Sequence, residues 1–389
     1  MAMKQKHRPM IGTLATGVAR TLEARIREGV LPAGRALPSE RELSVELGVS
    51  RSVVRAAIGE LAEFGLLDCR PNHRPVVRVS GPKAAKGQGN IGVWLWPNSS
   101  DFAAASILKG IQSTNLGSNQ LVVASGAGPD WNSILDSERD FLQSIADDPT
   151  ALGVIIWYLG GERNLPSLQK LQARRVPTVC VDRLPPAGFD VDYVGTNNSD
   201  SAMQAVRYLI GLGHHRIGMI SNIDPASSVA EREDGYRQAL VEAGIPFEDE
   251  WIQRVTYDAA KSIAAAITRL LRLPRPPTAI FCINDQLGLG AYDILTRHGV
   301  DVPGEISVIG FDGLLRWVPG GGYLTTMRQD FERIGRIAAN LVLEKASGRA
   351  PAANRHYFLD APLFAGASTA PPSADPSVAG RFANPKPAS

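Results

Sequence analysis

Two sets of residues in this chain have types and spacings suited to chemistry. The first lies in SRSVVRAAIGEL, residues 50–61. If this stretch is a helix with Val54, Ala57, Ile58 and Leu61 packed inward, then Arg51, Ser52, Arg55 and Gly59 fall on the opposite face. Such a face is basic and lightly built. Guanidinium groups there could reach guanine O6 and N7 or phosphate oxygens, and small neighbours would allow a close approach. The helix N-terminus adds a partial positive charge. Two arginines on a helix taken alone are more often an ordinary solvated face, so the surrounding pattern has to decide.

The second set consists of polar residues that follow short apolar runs. Asp101 and Phe102 come after IGVWLW, Asp182 and Arg183 after VPTVCV, and Arg232 in the stretch beyond GMIS. Tyr257 closes WIQRVTY, Asn284 and Asp285 follow TAIFCI, and Asp312 follows ISVIGF. Carboxylates, amides and arginines beside aromatic rings suit a polyhydroxylated molecule: paired hydrogen bonds for vicinal hydroxyls, and a flat apolar face for stacking. Any one Asp or Asn after a strand is usually a turn former or helix cap, and Asn284-Asp285 could simply cap LGLGAYDIL.

Other reactive types point nowhere in particular. Cys69, Cys180 and Cys282 are far apart, which indicates neither disulfides nor zinc but three small buried side chains. His214 and His215 sit at a helix-to-strand turn, where capping is expected. Gly288 and Gly290 form a G-x-G without a third glycine, too little for a dinucleotide site. No catalytic residue, metal site or cofactor is assigned.

The elements that must position these residues follow from periodicity. Leu14, Val18, Leu22 and Ile26 recur every four positions and predict a helix over 12–29. Ser39-Glu40-Arg41-Glu42 has the S-x-x-E form of a capping box and opens a second helix, which runs to about Leu47. Gly48 permits the turn into the third helix, capped by Ser50 and ended by Gly65. Two short strands are expected near 66–70 and 76–79, around the tip Pro71-Asn72-His73-Arg74-Pro75. Residues 81–89 read as a linker. After it, at least nine apolar runs alternate with helical patterns, which calls for parallel sheets covered on both faces. That number suits two doubly wound lobes better than one. In such sheets ligands sit beyond the carboxyl ends of the strands, where the second residue set lies. The expected organisation is a DNA-binding unit over 1–80, a linker over 81–89, a two-lobed unit over 90–368, and a Pro/Ala/Ser-rich disordered tail over 369–389.

Length and charge agree with this division. The chain has 389 residues, 44% of them apolar, enough for more than one core. Its net charge of +2 conceals an asymmetry: residues 1–80 carry 13 Lys and Arg against 8 Asp and Glu, and the remainder is slightly acidic. Arg20, Glu23, Arg25 and Arg27 stand where a signal peptide needs an apolar run, and no stretch is long enough for a membrane helix, so a cytoplasmic protein without a membrane partner is expected.

LPSERELSVELGVSRSVVRAAIGELAEFGLL resembles the winged helix-turn-helix signature of the GntR family of bacterial regulators. The resemblance covers roughly residues 13–79 and implies that Arg41, Ser50, Arg51 and Arg55 contact operator DNA. Where the family commonly has Thr, this chain has Val53, which could still meet a thymine methyl group. The wing lacks the usual glycine-containing tip, and Asn72, His73 or Arg74 would supply any minor-groove contact. The phrases VPTVCVDR, YVGTNNSDSAMQAVRYLIGLGHHRIGMI, EREDGYRQALVEAGI, TAIFCINDQLGLGAYDILTRHGVDVPGEISVIGFD and LTTMRQDFERIG resemble the effector domain of LacI/GalR-type regulators, itself similar to periplasmic sugar-binding proteins. That resemblance implies a cleft between lobes with Arg232 and Asp312 anchoring ligand hydroxyls. Asp182, Arg183 and Asn284 would assist, Tyr257 would stack, and Asp101 and Phe102 would come from the first lobe. The combination is similar in architecture to arabinose-type repressors.

The reading that follows is a ligand-controlled transcription regulator, a repressor acting as a homodimer on a pseudo-palindromic operator, with a sugar-like effector. Two others compete. An exported binding protein would share the two lobes but needs a signal peptide. A pyridoxal-phosphate enzyme fused to a DNA-binding unit needs a Schiff-base lysine, whereas Lys170, Lys261 and Lys345 fall on helical patterns.

Overall fold

The computed structural model describes residues 11–27, 29–63, 66–69, 73–77, 89–96, 101–126, 130–223, 226–256, 259–314, 317–318, 321–349 and 353–373. The N-terminal unit contains α1 (Ile11–Arg27), α2 (Glu40–Leu47), α3 (Arg51–Glu63), β1 (Leu67–Asp68) and β2 (Val76–Val77). The expected capping box opens α2: the Glu42 amide donates to Ser39 Oγ at 3.2 Å, and the Ser39 amide donates to Glu42 Oε2 at 2.7 Å. Gly48, at φ 66°, closes it in the left-handed conformation that a side chain would oppose. Val18, Leu22, Leu43, Val54, Ala57 and Leu61 share one core with Leu67 and Val77. Leu14, counted in the apolar stripe, instead faces solvent.

The strands β1 and β2 pair antiparallel, Leu67 opposite Val77. They are shorter than expected. Residues 34–37 add to them, with Val77 N donating to Arg35 O at 2.9 Å and Leu37 N to Pro75 O at 2.7 Å. So small a ribbon covers little, and Cys69 just beyond it is exposed, while Cys180 and Cys282 are buried. The expectation of three buried cysteines fails at Cys69 for that reason.

Nearly all of the expected linker, residues 81–88, lies outside the described residues, and after it come β3 (Asn90–Leu95), α4 (Asp101–Gln112), β4 (Gln120–Ser125), α5 (Trp131–Asp147), β5 (Ala151–Ile156), α6 (Gly161–Ala173), β6 (Thr178–Val181) and β7 (Asp192–Thr196). The next elements are α7 (Asn198–Gly211), β8 (Ile217–Asn222), α8 (Ser227–Glu242), β9 (Ile252–Val255), α9 (Ala259–Leu271), β10 (Ala279–Cys282), α10 (Asp285–Arg297), β11 (Ser307–Asp312) and β12 (Thr325–Arg328). The last three are α11 (Phe331–Ala346), β13 (His356–Leu359) and β14 (Leu363–Phe364). One six-stranded sheet runs β13-β7-β6-β5-β3-β4, all parallel, and a second runs β14-β12-β11-β10-β8-β9, parallel except for β14. Helices cover both faces, so inner strands such as β6 and β10 are buried along their whole length.

The mixed α/β architecture is thus a winged helix-turn-helix followed by two doubly wound lobes. The chain crosses between lobes three times: from β7 to α7, from β12 to α11, and from β13 to β14. Thr369 and Ala370, at the start of the expected tail, are bonded to the second lobe through Tyr208, Ser307 and His214. His214 is buried between Thr278 and Ala370, and burial lowers its pKa, which fits a neutral structural imidazole. Among the described residues no helix is long and apolar enough to cross a membrane.

Candidate functional site

The third helix presents Arg51, Ser52 and Arg55 to solvent, with the arginine side chains 64% and 69% exposed. Both reach back to Glu40 at the start of α2. Arg55 grips it with two bonds, Nε to Oε1 at 2.9 Å and Nη2 to Oε2 at 2.6 Å, while Arg51 stands 3.9 Å away. The Arg55 guanidinium holds the Glu40 carboxyl below its usual range. This pairing turns the arginines into a shared cluster at the helix-turn-helix corner. Ser50 Oγ lies 2.8 Å from Ser52 Oγ at the start of α3, and Arg41 is exposed on α2.

Two wing and helix expectations change. Val53 is 3% exposed and packs in the core, because it shares the inward stripe with Ala57, so it cannot meet a thymine methyl. Arg74 folds back on the unit, donating from Nε and Nη2 to the Leu37 carbonyl, and pins the wing to the turn before α2. His73 stays exposed, whereas Asn72 lies outside the described residues.

In the two-lobed unit, residues at the carboxyl ends of strands from both sheets converge. Asp182 follows β6 at φ 63° and Asp312 ends β11 at φ 124°. A side chain at positive φ crowds its own backbone, and strain of this kind costs about 1–3 kcal/mol, so it persists where the surroundings enforce it. Arg232, from α8, is 8% exposed and held on several sides. Its Nε donates to Asn198 Oδ1 at 2.8 Å, Nη1 donates to Ile283 O at 2.7 Å and lies 3.5 Å from Asp312 Oδ1, and the guanidinium sits 3.9 Å over the Phe311 ring. Burial pushes the Asp312 carboxyl up, opposed by the Arg232 charge. Asp285 is pushed up by burial and by Asp312, and it accepts from Thr326 Oγ1 and the Leu314 amide.

The first lobe contributes aromatic surface. Arg183 lies 4.8 Å over Trp96, whose ring is 5.3 Å from that of Trp131, and Phe102 is exposed on α4. Directly behind, Glu138 is fully buried, accepting from the Leu159 amide and Asn164 Nδ2. Burial raises its pKa to about 7. The lobes meet where Leu184 N donates to Ser227 Oγ at 3.0 Å and where Gln329 spans Thr196 and Asp312.

The structure therefore brings Asp182, Arg232 and Asp312 close together, with Arg183, the residue after Asp182, turned over Trp96. The Oδ1 of Asn284 accepts from Leu287 N at 2.8 Å, the helix-capping role that was its simpler reading. Tyr257 and the side chain of Asp101 lie outside the described residues. Sequence reasoning missed Trp96, Trp131, Thr196, Asn198 and Gln329. For Trp96 a signal was available, since it is the last residue of the apolar run IGVWLW.

Residues 14–77 match bacterial regulatory proteins of the gntR family, and residues 206–369 match a periplasmic binding protein-like domain. The chain is 33% identical over 184 residues to the probable HTH-type transcriptional repressor ExuR of Bacillus subtilis, covering 46% of this chain and 53% of that one. It is 35% identical over 190 residues to the HTH-type transcriptional repressor CytR of Escherichia coli, covering 48% and 52%. The chain thus spans about half the length of the curated relatives it matches. Among solved structures, a complex of the transcriptional regulator CelR with cellobiose shares the fold at a TM-score of 0.62 and 23% identity, over 85% of this chain and all of that one. A LacI family regulator from Mycobacterium smegmatis does so at 0.61 and 24%, over 73% of this chain and all of that one. The helix-turn-helix thus carries a gntR-family match and the lobes a periplasmic binding protein-like match, and the fold of the lobes is one that LacI-family regulators share.

Proposed function

We propose that this chain is a transcription regulator whose DNA-binding unit answers to a small polyhydroxylated molecule held between the two lobes. One observation carries the reading: a solvent-facing basic helix face and a buried, charged strand-end cluster occur in one polypeptide. Arg51 and Arg55 read base edges or phosphates. Arg41, Ser50 and Ser52 hold the backbone, and His73 reaches from the wing. In the cleft Asp182, Arg183, Arg232 and Asp312 bind hydroxyls, with Asn284 assisting from its capping position, while Trp96, Trp131 and Phe102 offer apolar faces to a sugar ring. The relatives are repressors, and repression of a sugar-related operon in the cytoplasm is the corresponding role here.

A homodimer completes the reading. Strand β4 is the outer strand of its sheet, and Val122 and Val123 on it are exposed, as is Phe102 on the neighbouring α4. An exposed apolar edge invites a partner, and a second copy would place two recognition helices on two half-sites. Of the three lysines considered for a Schiff base, Lys170 pairs with Asp147 and Lys345 with the buried Asp192, while Lys261 is exposed on α9.

The test has two arms. Genomic fragments captured by the purified protein should contain a shared palindrome bound in a salt-dependent manner, and failure to retain any duplex at low salt would end the regulator reading. A thermal-shift screen of sugars, sugar phosphates and sugar acids should find a compound that stabilises the wild type but not Asp312→Ala, and that changes operator affinity.

A further inference from the structure

Among the described residues, three ion pairs tie the helix-turn-helix to the first lobe. Arg333 Nη2 meets Glu60 Oε1 on α3, with side chains 7% and 19% exposed. Arg336 Nη1 lies 2.7 Å from Glu23 Oε1 on α1, and Asp330 Oδ2 lies 3.7 Å from Arg20 Nη2, also on α1. Positions 330, 333 and 336 recur every three residues and so line one face of α11 and its cap. Its other face, with Ile334, Ala338, Leu341 and Val342, is buried in the first-lobe core. The Arg333–Glu60 and Arg336–Glu23 charges are largely withdrawn from water and costly to separate, because losing one partner strands the other, whereas the Arg20–Asp330 pair is half-exposed.

The same short segment belongs to the cleft. Gln329 Nε2 donates to Asp312 Oδ1 at 2.8 Å, and Gln329 Oε1 accepts from Thr196 Oγ1 at 2.5 Å, so this one side chain spans both lobes. The next residue, Asp330, caps α11 by accepting from the Arg333 amide at 3.1 Å. Helix α11 in turn is locked to α4. A Cβ on Gly335 would come within 2.0 Å of Ile107 O, and one on Gly110 within 1.9 Å of Glu332 O. These backbones touch, and displacement at the start of α11 moves both helices together.

We infer that α11 is a dock for the DNA-binding unit and that Gln329-Asp330 is its relay, so that a change at Asp312 reaches α3 across the dock without using residues 78–88. A ligand taking up Asp312 Oδ1 competes with Gln329 and Arg232 for that oxygen. The result is felt one residue later at Arg20 and four residues later at Glu60, which sits on the C-terminal half of the helix whose N-terminal half carries Arg51 and Arg55. The inference rests on the ligand-controlled reading for its purpose but not for its test.

That test uses the full chain with neither DNA nor ligand. Small-angle scattering and amide exchange are measured for Glu23→Arg, for Arg336→Glu and for the two together. Each single change should enlarge the radius of gyration and speed exchange in α1 and α3 about tenfold, and the double change, which restores opposite charges in swapped places, should return both readings towards wild type. Gln329→Ala should move them in the direction of the single variants. Single variants indistinguishable from wild type, or a double variant no better than the singles, would overturn the dock. A wild-type result for Gln329→Ala would overturn the relay. Failure of the regulator reading would show separately, as absence of DNA capture.

Discussion

Arg55 and Arg232 are the same residue type in opposite settings. Arg55 is 69% exposed, held among the described residues by Glu40, and open to a new partner. Arg232 is 8% exposed and fixed by Asn198, Ile283, Asp312 and the Phe311 ring. The first can change partner at small cost because water screens it, and the second cannot, because its surroundings were assembled around its charge. On the proposed function, the residue that meets DNA is kept loose and the one that recognises a small molecule is fixed in advance.

The comparison can be broken most forcefully at Arg232. Its replacement by Ala leaves Asp312 without a counter-charge and Asn198 without a donor, so urea denaturation should show a loss of about 3–5 kcal/mol. A loss below about 1 kcal/mol would mean the site is far less pre-built than described.

Glu138 tests the same principle through pH. Its folded pKa of about 7 lies above the ordinary 4.5, so the folded protein binds the extra proton. The stability this contributes is fully present below pH 4.5 and disappears as pH rises through 7. Glu138→Gln should therefore gain about 2–3 kcal/mol relative to wild type between pH 4.5 and 8, read from denaturation midpoints at the two ends. An unchanged difference would place the carboxyl in a wetter setting.

On the exposed side, Arg55→Ala should weaken operator binding about tenfold to a hundredfold. It should leave the unfolding midpoint unchanged, which fluorescence anisotropy and thermal melting would check together. The smallest effect belongs to Glu40→Gln. Freed from its carboxylate, Arg55 need not give up a partner to meet DNA, and affinity should rise about two- to fivefold, in line with the modest strength of exposed pairs. A fall instead would show that Glu40 positions Arg55 for the base.

What the sequence made legible follows the same divide. The helix-turn-helix could be read closely because its signals are local: Ser39 and Glu42 cap each other three residues apart, and Gly48 turns the chain where it stands. Besides Leu14 and Cys69, which proved exposed, Val53 was misread there by assigning α3 too narrow an apolar stripe, although a stripe that includes Ala57 admits position 53. The cleft was legible only in part. Asp182 and Asp312 follow apolar runs and could be picked out, but their positive φ angles could not, since nothing in Asp predicts a strained backbone. Gln329, Thr196 and Asn198 were missed because their partners lie far away in sequence. Glu60 and Arg333 carried no signal for the same reason, each being half of a contact that exists only once two units are placed side by side.

The triple crossing between lobes has a consequence in time. The helix-turn-helix core closes at Val77, whereas the first lobe needs α11 and β13 before its sheet and helices are complete. At ordinary rates of synthesis these events are separated by some tens of seconds. On the proposed function, a nascent chain during that interval holds its recognition helix but not the lobes that would answer to a ligand. A chain ended before α11 would then carry that helix without its control.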